Sequence, residues 1–217
     1  MADPVNLPAG IGYENFDMGI IALKETSRME GRRVESVAFG SSYWTASYGT
    51  PFLQEDQLAN MDAWLLAAAS AGTTFLAHDL YRPRPRLENN GSPLSGAKAL
   101  GGVFDGTADL TIITNSREVI IEGLPDGFQL SIGDYLEFTM SPLIRSLHEI
   151  IEPVTANSSG QAIVKFRHGL DTQHFTIAAD VQFEKSSCVM QVLGNPRVPK
   201  GWGARRASFE ASEVFFQ

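Results

Sequence analysis

The sequence predicts a mainly β fold of sandwich or barrel type, with one packed α-helix over about residues 54–71 and a small barrel-like second part. Three observations predict it. Short segments in which apolar and polar residues alternate, such as Tyr43 to Tyr48, recur along the chain. A single stretch, Gln54 to Ala71, switches to helical spacing. From Leu110 onward, polar turns cut the chain into short strands, the pattern of a small barrel or sandwich.

Taken in order, residues 1–16 hold prolines at 4 and 8, glycines at 10 and 12 and no periodicity, and are expected to form a loose extended arm. Met18 to Leu23 is apolar enough for a buried strand, and Glu30-Gly31 supplies a turn. Val34 to Tyr48 follows as a long or bent strand pair, with Tyr43, Thr45 and Ser47 on one side and Trp44, Ala46 and Tyr48 on the other. In the helix, Leu58, Met61, Leu65, Ala68 and Ala69 share one face. Glu55 and Asp56 sit in its first turn, where the helix dipole favours acids, and Gly72 is placed to stop it. Thr73 to Ala77 is the next strand. The glycines and proline between Gly91 and Gly106 mark a long irregular passage.

Further strands are expected at Val119 to Glu122, after Gly133-Asp134 (Leu136, Phe138 and Met140 inward, Glu137 and Thr139 outward), from Leu147 to Val154, and at Ala162 to Phe166. Phe175, Ile177, Ala179, Val181 and Phe183 give the cleanest period-two pattern, predicting a strand with one buried face. Ser208 to Phe215 reads as a last strand. The domain organisation expected is an arm over 1–16, a β-rich domain with the helix over 17–108, a small barrel-like part over 109–171, and C-terminal strands over 172–217 returning to the first domain.

Composition narrows the function. With 17 basic and 25 acidic residues the formal charge is −8, which argues against nucleic-acid binding, because such binders need a basic face to displace counterions. Cys188 is the only cysteine, so neither an intrachain disulfide nor a cysteine zinc site can form, and a buried structural thiol is expected. The N-terminus lacks a basic region followed by an apolar core, and the longest apolar run, Ala63 to Ala69, falls short of the ~20 residues that span a bilayer. A soluble protein of a reducing compartment is expected, without membrane insertion.

Catalytic patterns are sparse. His78, His148, His168 and His174 stand in no metal-ligand spacing, and His78 and Asp79 as strand neighbours point to opposite faces. Asp105 to Asp109 lacks the acids and glycine of a calcium loop and reads as a solvated turn. No nucleophile elbow or phosphate-cradling loop occurs. Glu137, Glu149 and Glu152 are the carboxylates a glycan hydrolase would draw on. Tyr43, Trp44, Tyr48 and Trp202 could build a sugar-stacking platform, although alternation places Trp44 in the core and Tyr43 outside. No cofactor is expected.

From Gly31 to Arg86 the chain resembles a recurrent opening in distal tail and baseplate-hub proteins of long-tailed, siphovirus-like bacteriophages and gene transfer agents. The matching pieces are Trp44, Pro51 with Leu53, Glu55, Trp64, Gly72, Thr74-Phe75-Leu76, Asp79 and Pro83. The second half is similar through LSIGDYLEF, through Leu147 to Leu170, and through ASFEASEVF as the closing strand. The resemblance implies a structural virion protein of the tail tip, made in the host cytoplasm, without catalytic residues. It implies a ring of copies, a hexamer before a trimer, joined to tail-tube and hub proteins. A carbohydrate-recognition module is the alternative, and a glycan hydrolase stands behind it.

The chain departs from that resemblance in YRPRPRL, residues 81–87, which is more basic. Residues before proline are driven to extended angles, and Pro83 and Pro85 offer no N–H to a sheet, so the segment is stiff and cannot be a central strand. Arg82, Arg84 and Arg86 are expected to meet an acidic face of an adjacent subunit; a solvated edge that blocks strand pairing is the competing reading. The arm of residues 1–16 and the loop from Arg82 to Gly106 are expected to be ordered mainly by neighbouring subunits.

Overall fold

The computed structural model describes residues 3–215 apart from Met29, Arg32, Phe39, Trp202 and Ala204. It is mainly β, with one α-helix among the described residues. The first half holds β1 (Asn15–Ile21), β2 (Lys24–Arg28), β3 (Val34–Ala38), β4 (Tyr43–Gly49), α1 (Glu55–Ala68) and β5 (Phe75–His78). Then come β6 (Gly96–Ala97), β7 (Val103–Phe104), β8 (Thr107–Asn115), β9 (Glu118–Glu122), β10 (Gln129–Leu130), β11 (Tyr135–Thr139) and β12 (Arg145–Glu149). The rest is β13 (Val154–Thr155), β14 (Ala162–Lys165), β15 (Asp180–Gln182), β16 (Ser187–Val192) and β17 (Ser208–Glu213).

The chain divides into two units. The first is Met1–Phe75 with Met190–Val214, and the second is chiefly Leu76–Val189. The divisions fall after Phe75 and Val189, where the sequence suggested boundaries near 108 and 171. The C-terminal strand β17 belongs to the first unit.

A five-stranded sheet runs β1-β4-β17-β16-β5, with β1, β4 and β17 wholly in the first unit. Alternation holds in β4: Trp44, Ala46 and Tyr48 are buried, while Tyr43, Thr45 and Ser47 are not. On β17, Phe209 and Ala211 face the same way. The helix buries Met61, Leu65 and Ala68, as its spacing predicts. Beside that apolar stripe Trp64 packs edge-on to Phe75 at 5.4 Å and against Phe209 at 5.3 Å; Phe209 stacks on Tyr48 at 4.7 Å. Each such pair adds about 0.5–1.5 kcal/mol beyond area burial. The Gln57 side chain accepts from the Gln54 N–H, and Gly72 turns the chain out of the helix at φ +80.

The arm differs from expectation, because its own unit seats it. Val5 N–H donates to Thr74 O, Asn6 O accepts from Trp64 Nε1, and Gly10 O accepts from the Gln57 side chain. Backbone groups that would otherwise need a partner are satisfied on the helix and just before β5. β2 and β3 form a two-stranded ribbon of their own, and every residue of β2 is exposed.

In the second unit the sheet runs β12-β11-β15-β8-β9-β14. Its two edges meet: Ile150 bridges Phe166, Ile151 N–H donates to Lys165 O, and Arg167 N–H donates to Glu149 O. The sheet therefore curls into a small barrel. Register shifts in β8–β9 between Leu110 and Ile112 and between Ile113 and Asn115 supply bends that closure needs. Leu110, Val119, Ile121, Leu136, Phe138, Val164 and Phe166 fill the interior.

Two local expectations fail here. The strand over Phe175 to Phe183 shrinks to Asp180–Gln182, and Ile177 is 65% exposed. Asp171 causes this. Its carbonyl accepts from the N–H groups of His174 and Phe175, and its carboxylate accepts from Gln173 N–H and faces His174 Nδ1 at 2.7 Å, winding the segment into turns. Phe175, Ala179 and Phe183 remain buried because a spacing of four suits successive turns as well as a strand. Glu137, expected outward, is fully buried on β11.

Candidate functional site

The Arg/Pro segment begins where β5 ends. Asp79 is buried, and its Oδ1 accepts from the N–H groups of Tyr81 (2.8 Å) and Arg82 (3.0 Å), bending the chain as an Asx turn. Its Oδ2 accepts from Arg82 Nε at 2.9 Å. The Arg82 guanidinium then donates to Gly133 O at 2.9 Å and to Tyr135 Oη at 2.7 Å. Gly133 lies at φ +84, a conformation that favours glycine, and a Cβ there would come within 3.2 Å of Arg82 Nη1.

Arg84 makes a two-pronged ion pair. Nε and Nη2 each lie 2.6 Å from a Glu184 carboxylate oxygen, and the two side chains are only 10% and 15% exposed. Planar fork-to-fork pairing of this kind is the strong form of the interaction. Glu184 also accepts from Leu94 N–H, Pro83 O accepts from Lys185 N–H, and Glu88 accepts from Gln129 N–H. Arg86 enters through its backbone: its N–H donates to Asp134 Oδ1 at 3.0 Å. Burial pushes the Asp134 carboxyl up, against the Ser131 and Arg86 N–H bonds and the charges of Arg86 and Arg82.

The three arginines therefore part company. Arg84 is spent within the second unit, Arg82 is bonded yet 46% exposed, and the Arg86 side chain is exposed. The passage from Arg82 to Gly106, expected to be ordered mainly by neighbouring subunits, is tied down by Glu184, Asp134 and Glu88 of its own unit and by the Ala99 N–H to Leu124 O bond. Tyr81 and Leu87, at 63% and 58% exposure, frame what remains open. The Arg/Pro alternation signalled stiffness; nothing in the sequence signalled Glu184 as the partner of Arg84.

The other candidate residues are not brought together. Glu137 accepts from Ser187 N–H and Oγ, from Thr139 Oγ1 and from Arg145 Nη1. Glu149 faces Arg167 at 3.5 Å and Glu152 faces Lys165 at 3.0 Å, so each carboxylate of the proposed hydrolase set is held by its own cation. Trp44 and Tyr48 are core residues; only Tyr43 points to the open face, and Trp202 lies outside the described residues. Cys188 is fully buried, as expected of a structural thiol.

His148 is buried as well, with Nδ1 3.0 Å from His168 O and Nε2 2.8 Å from Ser146 Oγ. Burial holds its pKa down at about 3, against the His168 carbonyl bond. A ring nitrogen beside a carbonyl must carry the proton, so Nδ1 donates and Nε2 accepts from the serine. Asp105 accepts from Thr107 in a local turn. Among the described residues no group of three or more His, Cys, Asp or Glu is placed to hold a metal, and no helix is long and apolar enough to cross a membrane.

No protein-family model matches the chain, and no curated protein does.

Proposed function

We propose that the protein is a structural subunit of a phage tail tip or baseplate, forming a symmetric ring of copies between the tail tube and the distal host-recognition apparatus. The observation that carries this reading is the β2–β3 ribbon. It pairs only with itself among the described residues, and it leaves Val34 and Val37 at 54% and 66% exposure. A two-stranded ribbon alone is marginal in water, and its outer edges offer backbone groups to another chain. Strand addition to a neighbour satisfies both requirements and is one route to closed, head-to-tail rings. The resemblance of Gly31 to Arg86 to tail-tip proteins points the same way.

A structural role also accounts for carboxylates that are neutralised in place and aromatics that serve as core. The test is direct. Negative-stain images of the purified protein should show rings, and antibodies against it should mark the tail tip of the particle. Replacing residues 24–38 with a short Gly/Ser linker should leave monomers with an intact second unit. Rings that persist without the ribbon would refute its role, and label absent from tails would refute the assignment.

A further inference from the structure

One face of the first unit's sheet is covered by α1 and its aromatic cluster, and on the other face β1, β4 and β17 keep exposed positions. There the register aligns Asp17 of β1, Ser47 of β4 and Glu210 of β17 in a single row across three strands. All three side chains are exposed, and neither carboxylate has an ion-pair partner among the described residues. Adjacent strands lie about 4.8 Å apart, so the two acids flank Ser47 with room for one planar cation over the hydroxyl. Shallow clefts lie on either side of the row, with Leu193 lining both; Leu193 and Ile21 are 49% and 40% exposed.

The second unit carries the counterpart. Arg86 projects a guanidinium that meets no carboxylate within ion-pair distance among the described residues, and Tyr81 and Leu87 lie near it in the chain. Tyrosine and arginine are among the residues enriched at protein interfaces. Like charges repel in a chain of net charge −8, so self-association is favoured only where a cation of one copy meets acids of the next. Both patches belong to the same chain and differ from each other, which is what a head-to-tail contact requires.

We propose that Arg86 of one copy docks over Ser47 of the next, between Asp17 and Glu210, with Tyr81 and Leu87 against Ile21 and Leu193. The contact rests on the ring reading above and names one of the surfaces that closes it. Arg82, still half-exposed, extends the cationic edge, whereas Arg84 takes no part.

Charge exchange tests it. R86E and E210R, each alone, should weaken self-association roughly tenfold or more in sedimentation velocity, since each sets like charges face to face. Mixed in equal amounts, the two should assemble again, because alternating copies pair the new glutamate with the new arginine and the native Arg86 with the native Glu210. Strict alternation closes an even-numbered ring and cannot close a trimer. R86Q, which adds no negative charge near Asp134, should act in the same direction with a smaller loss. Wild-type rings undisturbed by R86E, R86Q and E210R would overturn this contact alone. Variants that fold, as judged by unchanged melting, yet fail to recover on mixing would also overturn it. A wild-type chain that never forms rings would overturn the ring reading and this contact with it.

Discussion

The two units hold themselves together by different means. The first relies on an aromatic cluster (Tyr48, Trp64, Phe75, Phe209) pressed between a helix and a sheet, and it leaves a ribbon and a sheet face open. The second closes its sheet into a barrel and fastens it with carboxylates matched in place: the buried Glu137, Asp134 and Asp79 and the part-buried Glu184. Apolar packing tolerates an unfinished surface, since it needs no exact partner geometry. Buried charge does not, because each ion must be matched where it sits. The contrast teaches a division of labour: one unit is a closed barrel, and the other keeps surface in reserve.

The largest effects should separate the two kinds of core. Phe209→Ala removes the stack on Tyr48 and the contact with Trp64, and should cost the first unit about 3–5 kcal/mol at any ionic strength. Glu137→Ala strands Arg145 and the Ser187 N–H, and should cost the second unit a similar 3–5 kcal/mol. Glu137→Gln, which keeps the shape, should recover part of it. Denaturation followed by hydrogen exchange resolves which unit loosens. Loss spread evenly over both units in either variant would break the comparison.

Acid should then pull the units in opposite directions. His148 is held near pKa 3 in the folded second unit against 6.5 when unfolded. Its contribution is whole above about pH 6.5 and falls as pH drops toward 3, by on the order of 4 kcal/mol. In the first unit burial lifts the Glu213 carboxyl to about 7 from 4.5, against the Trp44 N–H bond it accepts. Here the folded state holds the extra proton, so stability is whole below about pH 4.5 and falls as pH rises toward 7. That change should be smaller, on the order of 2 kcal/mol, because the group is partly open to water. Exchange protection measured from pH 4 to 8 should show opposite trends, and Glu213→Gln should flatten the first.

The smallest effects sharpen the comparison within one segment. Arg84→Ala should cost roughly 2–3 kcal/mol and open the passage around Leu94 to protease, since it leaves Glu184 half-buried and unmatched. Arg86→Ala, two residues on, should change stability by no more than about 0.5 kcal/mol, its backbone bond to Asp134 being untouched. Equal costs at the two positions would mean that the segment does not divide into a structural and a surface arginine.

Much of the fold could be read from residue order, for identifiable reasons. The helix over 54–71 appears as Glu55–Ala68 because its signals are local: apolar spacing, acids in the first turn, and Gly72. The alternation in β4 survives because one face meets a core and the other meets water. The segment from Phe175 to Ala179 was illegible because its apolar spacing fits a strand and a series of turns equally, and a single upstream residue, Asp171, decides between them. The candidate site was only half legible. Proline fixed the stiffness of Arg82 to Arg86, but the acids that sort these arginines are distant in sequence: Glu184 lies 100 residues from Arg84. Glu137 misled for the same reason, since a strand's polar positions face water only where nothing else covers them.

The chain's route through the first unit bears on when its open face forms. β17 lies between β4 and β16 in the sheet, so a middle strand is made after every other described strand. Domains emerging from the ribosome ordinarily fold in the order they appear. Here the second unit, chiefly Leu76–Val189, can close while the first still waits for Ser208 to Glu213. The open face, whose acids sit on β1 and β17, does not exist until that strand arrives. Translation thereby acts as a timer: a half-made chain lacks the face on which the proposed contact would form.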